Sequence, residues 1–318
     1  MIDKVHNFNK TLITGGTGYI GSRLINFYIK NNHKFVVLTT SIDIKEKNYF
    51  YIKDLNDIPL EAFEGVDRVV HLAGISNDTN KTDYETKKKY TDANVKYVEN
   101  VLNLSIKKQI RSFIFISSTR ADDSNFKNFS DKKNLLSIYA STKSEAEKII
   151  KNISKNEPIR VHILRPSIVY GPDAKGNLSL FVSLLKKGFK LKFYFLKNQK
   201  SLVHVDDVIR AINFLSINGL DGETYNLSGN NYELNQISEI ISKIYNKRFI
   251  TIRIPKFILE FVSLISFSKK GFFYKLKRDE IYSSEKIKKL GFNFSKSLYN
   301  IDQSDFSKND HPLSKLKN

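Results

Sequence analysis

In the first half of the chain, short runs of β-branched and aromatic residues alternate with longer stretches whose apolar positions recur at helical spacing. The runs are Thr11-Leu12-Ile13-Thr14, Phe35-Val36-Val37-Leu38, Arg68-Val69-Val70-His71-Leu72, Ser112-Phe113-Ile114-Phe115-Ile116 and Arg160-Val161-His162-Ile163-Leu164. Their near-continuous apolar character predicts strands covered on both faces. Between them, Gly21 to Asn31, roughly Thr91 to Lys108 and Ser137 to Ile153 predict helices. Strands and helices alternating in this way imply a doubly wound α/β domain with a parallel sheet.

After Pro166 the rhythm changes. Gly171-Pro172 marks a turn, Leu178 to Lys187 predicts a helix, Val208 to Leu215 is amphipathic, and turns fall at Asn218-Gly219 and Gly229-Asn230. The expected division is a larger domain of residues 1–170 plus about 201–217, and a smaller lobe of 171–200 plus 218–302. The polar tail, 303–318, is expected to fray. No internal repeat is visible.

Composition narrows the classes. Hydrophobic residues make up 41% of the 318 and aromatics 12%, enough to exclude a disordered or collagen-like chain. The absence of cysteine removes disulfides, thiolate zinc sites and a cysteine nucleophile, and fits a reducing compartment. The six histidines show no metal-ligand spacing, so no metal site is expected. A strand-like segment follows the N-terminus almost at once, where a signal peptide would need an apolar run, so a cytoplasmic protein is expected. Phe257 to Phe267 is the longest membrane candidate, but Glu260 interrupts it and a helix of that length spans ~16 Å against a hydrocarbon core of ~30 Å. With 52 Lys+Arg against 33 Asp+Glu the net charge is +19, which admits nucleic acid, acidic membrane or small anions as partners. The lysines stand in short groups, Lys87-Lys88-Lys89, Lys107-Lys108, Lys186-Lys187 and Lys288-Lys289, scattered along the chain. That scatter favours small anionic ligands over a specific nucleic-acid partner.

Two motifs carry chemistry. Thr14-Gly15-Gly16-Thr17-Gly18-Tyr19-Ile20-Gly21 follows the first strand and opens the first helix. Gly15, Gly18 and Gly21 allow a tight turn, close approach of backbone to a pyrophosphate, and close packing of helix on strand. The acidic residue expected about 20 positions on, to hold an adenosine ribose, is replaced at the second strand's end by Thr39-Thr40-Ser41, with Asp43 and Lys45 beyond, so NAD and NADP both stay open. The second motif, Tyr139-Ala140-Ser141-Thr142-Lys143, puts a phenol and an ammonium one helical turn apart. A nearby cation favours the phenolate and suits the phenol to proton transfer near neutrality.

Together these motifs make the sequence resemble the extended short-chain dehydrogenase/reductase superfamily, in its NAD-dependent epimerase/dehydratase group. The resemblance extends to Asp54-Leu55, placed as the family's adenine neighbours; His71-Leu72-Ala73-Gly74, which lines the cofactor there; Asn94, placed as a helix-kinking Asn; and Ser117-Ser118-Thr119. It continues through Leu164-Arg165-Pro166-Ser167-Ile168-Val169-Tyr170-Gly171-Pro172, beside the nicotinamide in the family, and Ser201-Leu202-Val203-His204-Val205-Asp206-Asp207-Val208. Gly171 to Asn177 and Lys200 to Val203 look most like bacterial UDP-sugar 4-epimerases and 4-keto reductases of polysaccharide synthesis.

The resemblance implies a Rossmann-like doubly wound parallel sheet with a smaller C-terminal α/β substrate lobe. It implies Tyr139, Lys143 and Ser118 as catalytic, with Thr119 as fallback. The cofactor residues it implies are Gly15, Gly18, Tyr19, Ile20, Gly21, Thr39, Thr40, Asp54, Leu55, Leu72, Ala73, Gly74, Asn94, Tyr139, Lys143 and Pro166. A nucleotide sugar would meet Ser118, Thr119, Asn177 and Lys200. The implied activity is 4-epimerisation. The alternatives are an NADPH-dependent 4-keto-sugar or other carbonyl reductase, and a cofactor-binding sensor without catalysis. A homodimer through the helices Thr91 to Lys108 and Ser137 to Ile153 is also implied. In family 4,6-dehydratases an Asp-Glu pair follows the catalytic hydroxyl; Thr119-Arg120 stands there instead, which disfavours elimination of water.

Overall fold

The computed structural model describes residues 8–41, 47–76, 83–122, 137–174, 177–255, 257 and 278–307. Asp43, Lys45 and all but the first residue of the Phe257 to Phe267 segment lie outside the described residues.

In chain order the elements are β1 (Thr11–Thr14), α1 (Tyr19–Lys30), β2 (Phe35–Thr39), β3 (Tyr49–Tyr51), β4 (Arg68–His71), α2 (Tyr84–Thr91), α3 (Tyr97–Lys107), β5 (Ser112–Ile116), α4 (Ile138–Ser154), β6 (Arg160–Pro166), β7 (Ile168–Tyr170), α5 (Asn177–Lys186), β8 (Phe189–Phe193), β9 (Gln199–His204), α6 (Val205–Asn218), β10 (Glu223–Leu227), β11 (Asn231–Glu233), α7 (Leu234–Tyr245), β12 (Ile250–Ile254) and α8 (Glu285–Lys289). A π-helical turn, Asp92–Lys96, joins α2 to α3. The main sheet runs β3-β2-β1-β4-β5-β6-β10, every neighbouring pair parallel.

Alternation along each strand explains the two layers. Leu12, Val36, Val69, Phe113 and Ile163 face α3 and α4, packing on Val98, Val101, Leu102 and Ile150. Their sequence neighbours Ile13, Val37, Val70, Ile114 and Leu164 face the other way, onto Leu24, Ile25 and Tyr28 of α1 and Val208, Ile209 and Ile212 of α6. Because side chains alternate across a strand, strands buried on both faces must be apolar at successive positions. The strand order reverses between β1 and β4, and at such a switch point the crevice beyond the carboxyl ends of the strands takes a ligand.

Three sequence expectations need correction. Glu223–Leu227, expected in the smaller lobe, is the last strand of the main sheet and pairs with β6. The helix expected from Thr91 begins earlier, at Tyr84, with Asp83 accepting a hydrogen bond from the Thr86 amide as its cap. The tail does not fray at Gln303: Gln303–Phe306 forms a turn capped by Asp302, and Phe306 is buried in the smaller lobe with Tyr170, Val182 and Leu202. Phe306 stacks on Tyr170 and its carbonyl accepts from Lys186 Nζ, which outweighs the polar character of the segment. Residues 308–318 lie outside the described residues.

Among the described residues no helix is long and apolar enough to cross a membrane, and no group of His, Asp and Glu is placed to hold a metal ion.

Candidate active site

The turn after β1 brings two loops into contact that side chains would force apart. Gly15 has φ +70, and a Cβ on it would lie 2.6 Å from the Ala73 nitrogen in the loop after β4. A Cβ on Gly21 would lie 2.2 Å from the Gly15 carbonyl oxygen, so the helix packs onto the turn only because that position is glycine. The Gly18 amide donates to the Gly15 carbonyl at 3.0 Å. Thr14 holds the opposite loop, accepting from the Ala73 amide at 3.2 Å through its hydroxyl.

No side chain caps α1 at Gly18, so its first amides stay open to an anion. Above them is a cavity of about 630 Å³, lined by Gly15 and Gly18, by Leu38, Thr39 and Thr40 from the end of β2, by Ile52 and Leu55, by Leu72, Ala73 and Gly74, and by Lys88 and Lys89 of α2. An open helix end, an apolar slot and two hydroxyls fit the pyrophosphate, adenine and ribose of a dinucleotide.

Other expected cofactor residues take supporting positions. Tyr19 turns its hydroxyl toward Gly171, where it is buried with no hydrogen-bond partner among the described residues, and burial pushes the phenol well above its ordinary range. Ile20 packs against the core, and neither residue is among those lining the cavity. Asp54 is exposed and closes its own turn, accepting from the Asn56 amide at 2.8 Å. Pro166 is buried at the end of β6, paired with Leu227. Asn94 stands in the π-helical turn, fully buried, and acts as a clamp. It accepts from the Ile75 amide at 2.7 Å, and donates to the Ile75 carbonyl at 3.2 Å and to the Thr142 hydroxyl at 3.0 Å. It thus ties the Gly74 loop to α4.

On α4, Tyr139 and Lys143 are both buried, at 9% and 5% exposure. Lys143 Nζ donates to the Ile116 carbonyl at 3.0 Å, lies 4.5 Å from the centre of the Phe115 ring, and is 3.5 Å from where a Gly74 side chain would start. Burial holds this ammonium down at about 8, against a Coulombic pull upward from Glu147. His71 below it is buried and, among the described residues, has no hydrogen-bond partner at either ring nitrogen; burial together with the Lys143 charge holds it well below the ordinary histidine range.

Ser118 follows β5 and caps a short turn, Thr119–Ala121, by accepting from the Arg120 amide at 3.3 Å. Thr119 is buried beside it, next to the Tyr282 hydroxyl. Lys200, expected to meet a nucleotide sugar, is 5% exposed; its Nζ is 3.1 Å from Glu280 Oε2, and it donates to the Arg278 carbonyl at 2.6 Å. Arg120 reaches the other oxygen of Glu280 at 3.5 Å, so this carboxylate joins the turn after Ser118 to β9. Asn177 begins α5; its side chain lies outside the described residues.

Sequence reasoning missed Glu147 and Glu280, and named Arg165 only within the segment beside the nicotinamide. Glu147 had a signal, since it continues the Tyr139 and Lys143 stripe by one more turn. Glu280 had none, because its partners lie 80 and 160 residues away.

Comparison with known proteins agrees with this architecture. The chain is 28% identical over 215 residues to a UDP-glucose 4-epimerase of Vibrio cholerae, covering 63% of this chain and 64% of that protein. It is 26% identical over 272 residues to a dTDP-D-glucose 4,6-dehydratase of Dictyostelium discoideum, covering 74% and 62%. It therefore spans somewhat less than two thirds of either relative. Among solved structures, a UDP-glucose 4-epimerase of Thermotoga maritima with UDP-glucose superposes with a TM-score of 0.71 at 22% identity, over 96% of this chain and 99% of that one. The model of the NAD dependent epimerase/dehydratase family matches residues 11–228, from the first strand of the sheet to the end of the last, and the chain belongs to that family.

Proposed function

We propose that the protein acts at C4 of a nucleotide-linked hexose, as a UDP-hexose or UDP-N-acetylhexosamine 4-epimerase. What carries this reading is Lys143: an ammonium kept in a buried pocket beside Gly74 of the dinucleotide cavity, one turn beyond a buried tyrosine. A nicotinamide dinucleotide held there supplies the hydride chemistry at C4. The protein's own groups manage the proton. Tyr139, as phenolate, takes the proton of the C4 hydroxyl and later returns it. Lys143 stabilises the phenolate by its charge and presents N–H donors to the nicotinamide ribose. Ser118 orients the reacting oxygen.

Thr119 and Arg120 offer no acid and base pair for elimination, which supports epimerisation over the dehydratase chemistry of one relative. The epimerase names among the relatives and the structures point the same way. The same resemblance carries a cytoplasmic homodimer assembled through α3 and α4, which light scattering of the purified protein tests.

The experiment is incubation of the purified protein with UDP-glucose and UDP-N-acetylglucosamine, with no added cofactor, NAD or NADP, the C4 epimers being read by NMR. An epimerase turns over without net cofactor consumption. Stoichiometric oxidation of added NADPH with a 4-keto sugar instead identifies a reductase, and absence of dinucleotide binding overturns both. Tyr139→Phe should lower turnover by about 10²–10⁴ while leaving dinucleotide binding intact.

A further inference from the structure

One turn beyond Lys143 stands Glu147, a carboxylate only 3% exposed. Both its oxygens are held from other elements. Ser117, just past β5, donates its hydroxyl to Oε1. Arg165 of β6 donates Nε to Oε1 at 2.9 Å and Nη2 to Oε2 at 2.6 Å. The same guanidinium reaches Asp122 Oδ2 with Nη1 at 3.2 Å. A buried carboxylate costs several kcal/mol of desolvation and stays ionised only with hydrogen-bonded partners of this kind.

The charged and titratable groups around Lys143 come from its own helix and from β4 and β6. On its own helix they are Tyr139 and Glu147. From β4 comes His71, with Tyr97 of α3 beside its ring at 5.3 Å. From β6 comes Arg165, behind Glu147, with Asp122 behind Arg165. The contacts from β5 are neutral, the Ile116 carbonyl and the Phe115 ring. His71 is kept uncharged by burial and by Lys143 itself. Among the described residues, Glu147 is therefore the group whose charge opposes the loss of the Lys143 proton.

We propose that Glu147, braced by Arg165 and Ser117, is a positioning residue: its charge sets the pH range in which Lys143 remains an ammonium, and its bonds fix the Ser117–Ser118 corner against α4. The role rests on the reading of Tyr139 and Lys143 given above. Glu147 touches neither substrate nor cofactor in this scheme and acts through Lys143.

Glu147→Gln removes the charge while keeping the shape and an acceptor for Ser117. In protein carrying ¹³C at the lysine ε-carbons, assigned by comparison with Lys143→Met, the Lys143 midpoint should fall by about one pH unit. The alkaline limb of kcat/KM for UDP-glucose should fall with it, and KM should hold. Ser117→Ala loosens the brace but keeps both charges, and should lower kcat while leaving the midpoint in place. Glu147→Asp should restore most of the wild-type midpoint, and it is the variant read if Glu147→Gln does not fold. An unmoved midpoint in folded Glu147→Gln overturns the proposal, as does Ser117→Ala moving it equally far. Full turnover by Lys143→Met would instead overturn the reading of Tyr139 and Lys143, whatever the midpoint does.

Discussion

Lys143, proposed above to support the proton chemistry, carries a cost in stability from its burial. Its ammonium is held down at about 8 by burial, whereas a lysine in the unfolded chain titrates near ~10.4. Below pH 8 both states keep the proton and the burial cost is present in full. Between about 8 and ~10.4 the folded state gives up the proton while the unfolded state keeps it, so this residue's contribution to stability rises with pH, by up to about 3 kcal/mol. Lys143→Met lacks that dependence. Urea unfolding of both proteins from pH 7.5 to 10.5 should show the wild type gaining on the variant across that window; parallel curves would refute the buried-ammonium account. The Tyr139 and Lys143 pair was visible in sequence because two chemical groups at helical spacing mark themselves. The pairing of Lys200 has no such mark: it depends on Glu280, 80 residues distant.

At the scale of elements, β1, β4, β5 and β6 could be read to within a residue or two, because strands buried on both faces leave an unbroken apolar run. β10 was harder, since Glu223-Thr224-Tyr225-Asn226-Leu227 alternates polar and apolar residues and ends a sheet whose boundary no local pattern marks. The start of α2 was hidden by Lys87, Lys88 and Lys89, which are exposed and give no apolar stripe. The π-helical turn carries Asn94 inward between the Gly74 loop and α4, a placement such bulges often provide at working sites. Asn94→Ala would take the side-chain partner from the part-buried Ile75 amide and carbonyl. Part-buried groups fall at the lower end of about 1–3 kcal/mol each, so the loss should be about 2 kcal/mol in chemical denaturation. Dinucleotide affinity should fall at least about tenfold as the Gly74 loop loosens, a drop of 1.4 kcal/mol or more. Lost stability with unchanged affinity would reduce Asn94 to a structural clamp.

For the whole molecule, the charge of +19 divides into two populations. The groups at Lys87-Lys88-Lys89, Lys107-Lys108, Lys186-Lys187 and Lys288-Lys289 are exposed and spread over both the sheet domain and the lobe. Lys143 and Lys200 are buried beside the site. Exposed charges act on an approaching anion mainly through the long-range field, which ions screen over ~10 Å at 0.1 M salt. Lys88 and Lys89 sit at the cavity mouth with Glu85 and Asp92, and Asp92 is engaged by Lys96 at 2.8 Å. Capture of an anionic dinucleotide should therefore depend on salt in its association rate and little in its dissociation rate. In stopped-flow binding, raising the salt from about 25 to 300 mM should slow association several-fold, and Lys88→Gln with Lys89→Gln should remove much of that difference. A salt effect confined to dissociation would place the relevant charge in direct contact with the ligand, and would transfer the role from the surface lysines to the buried pair.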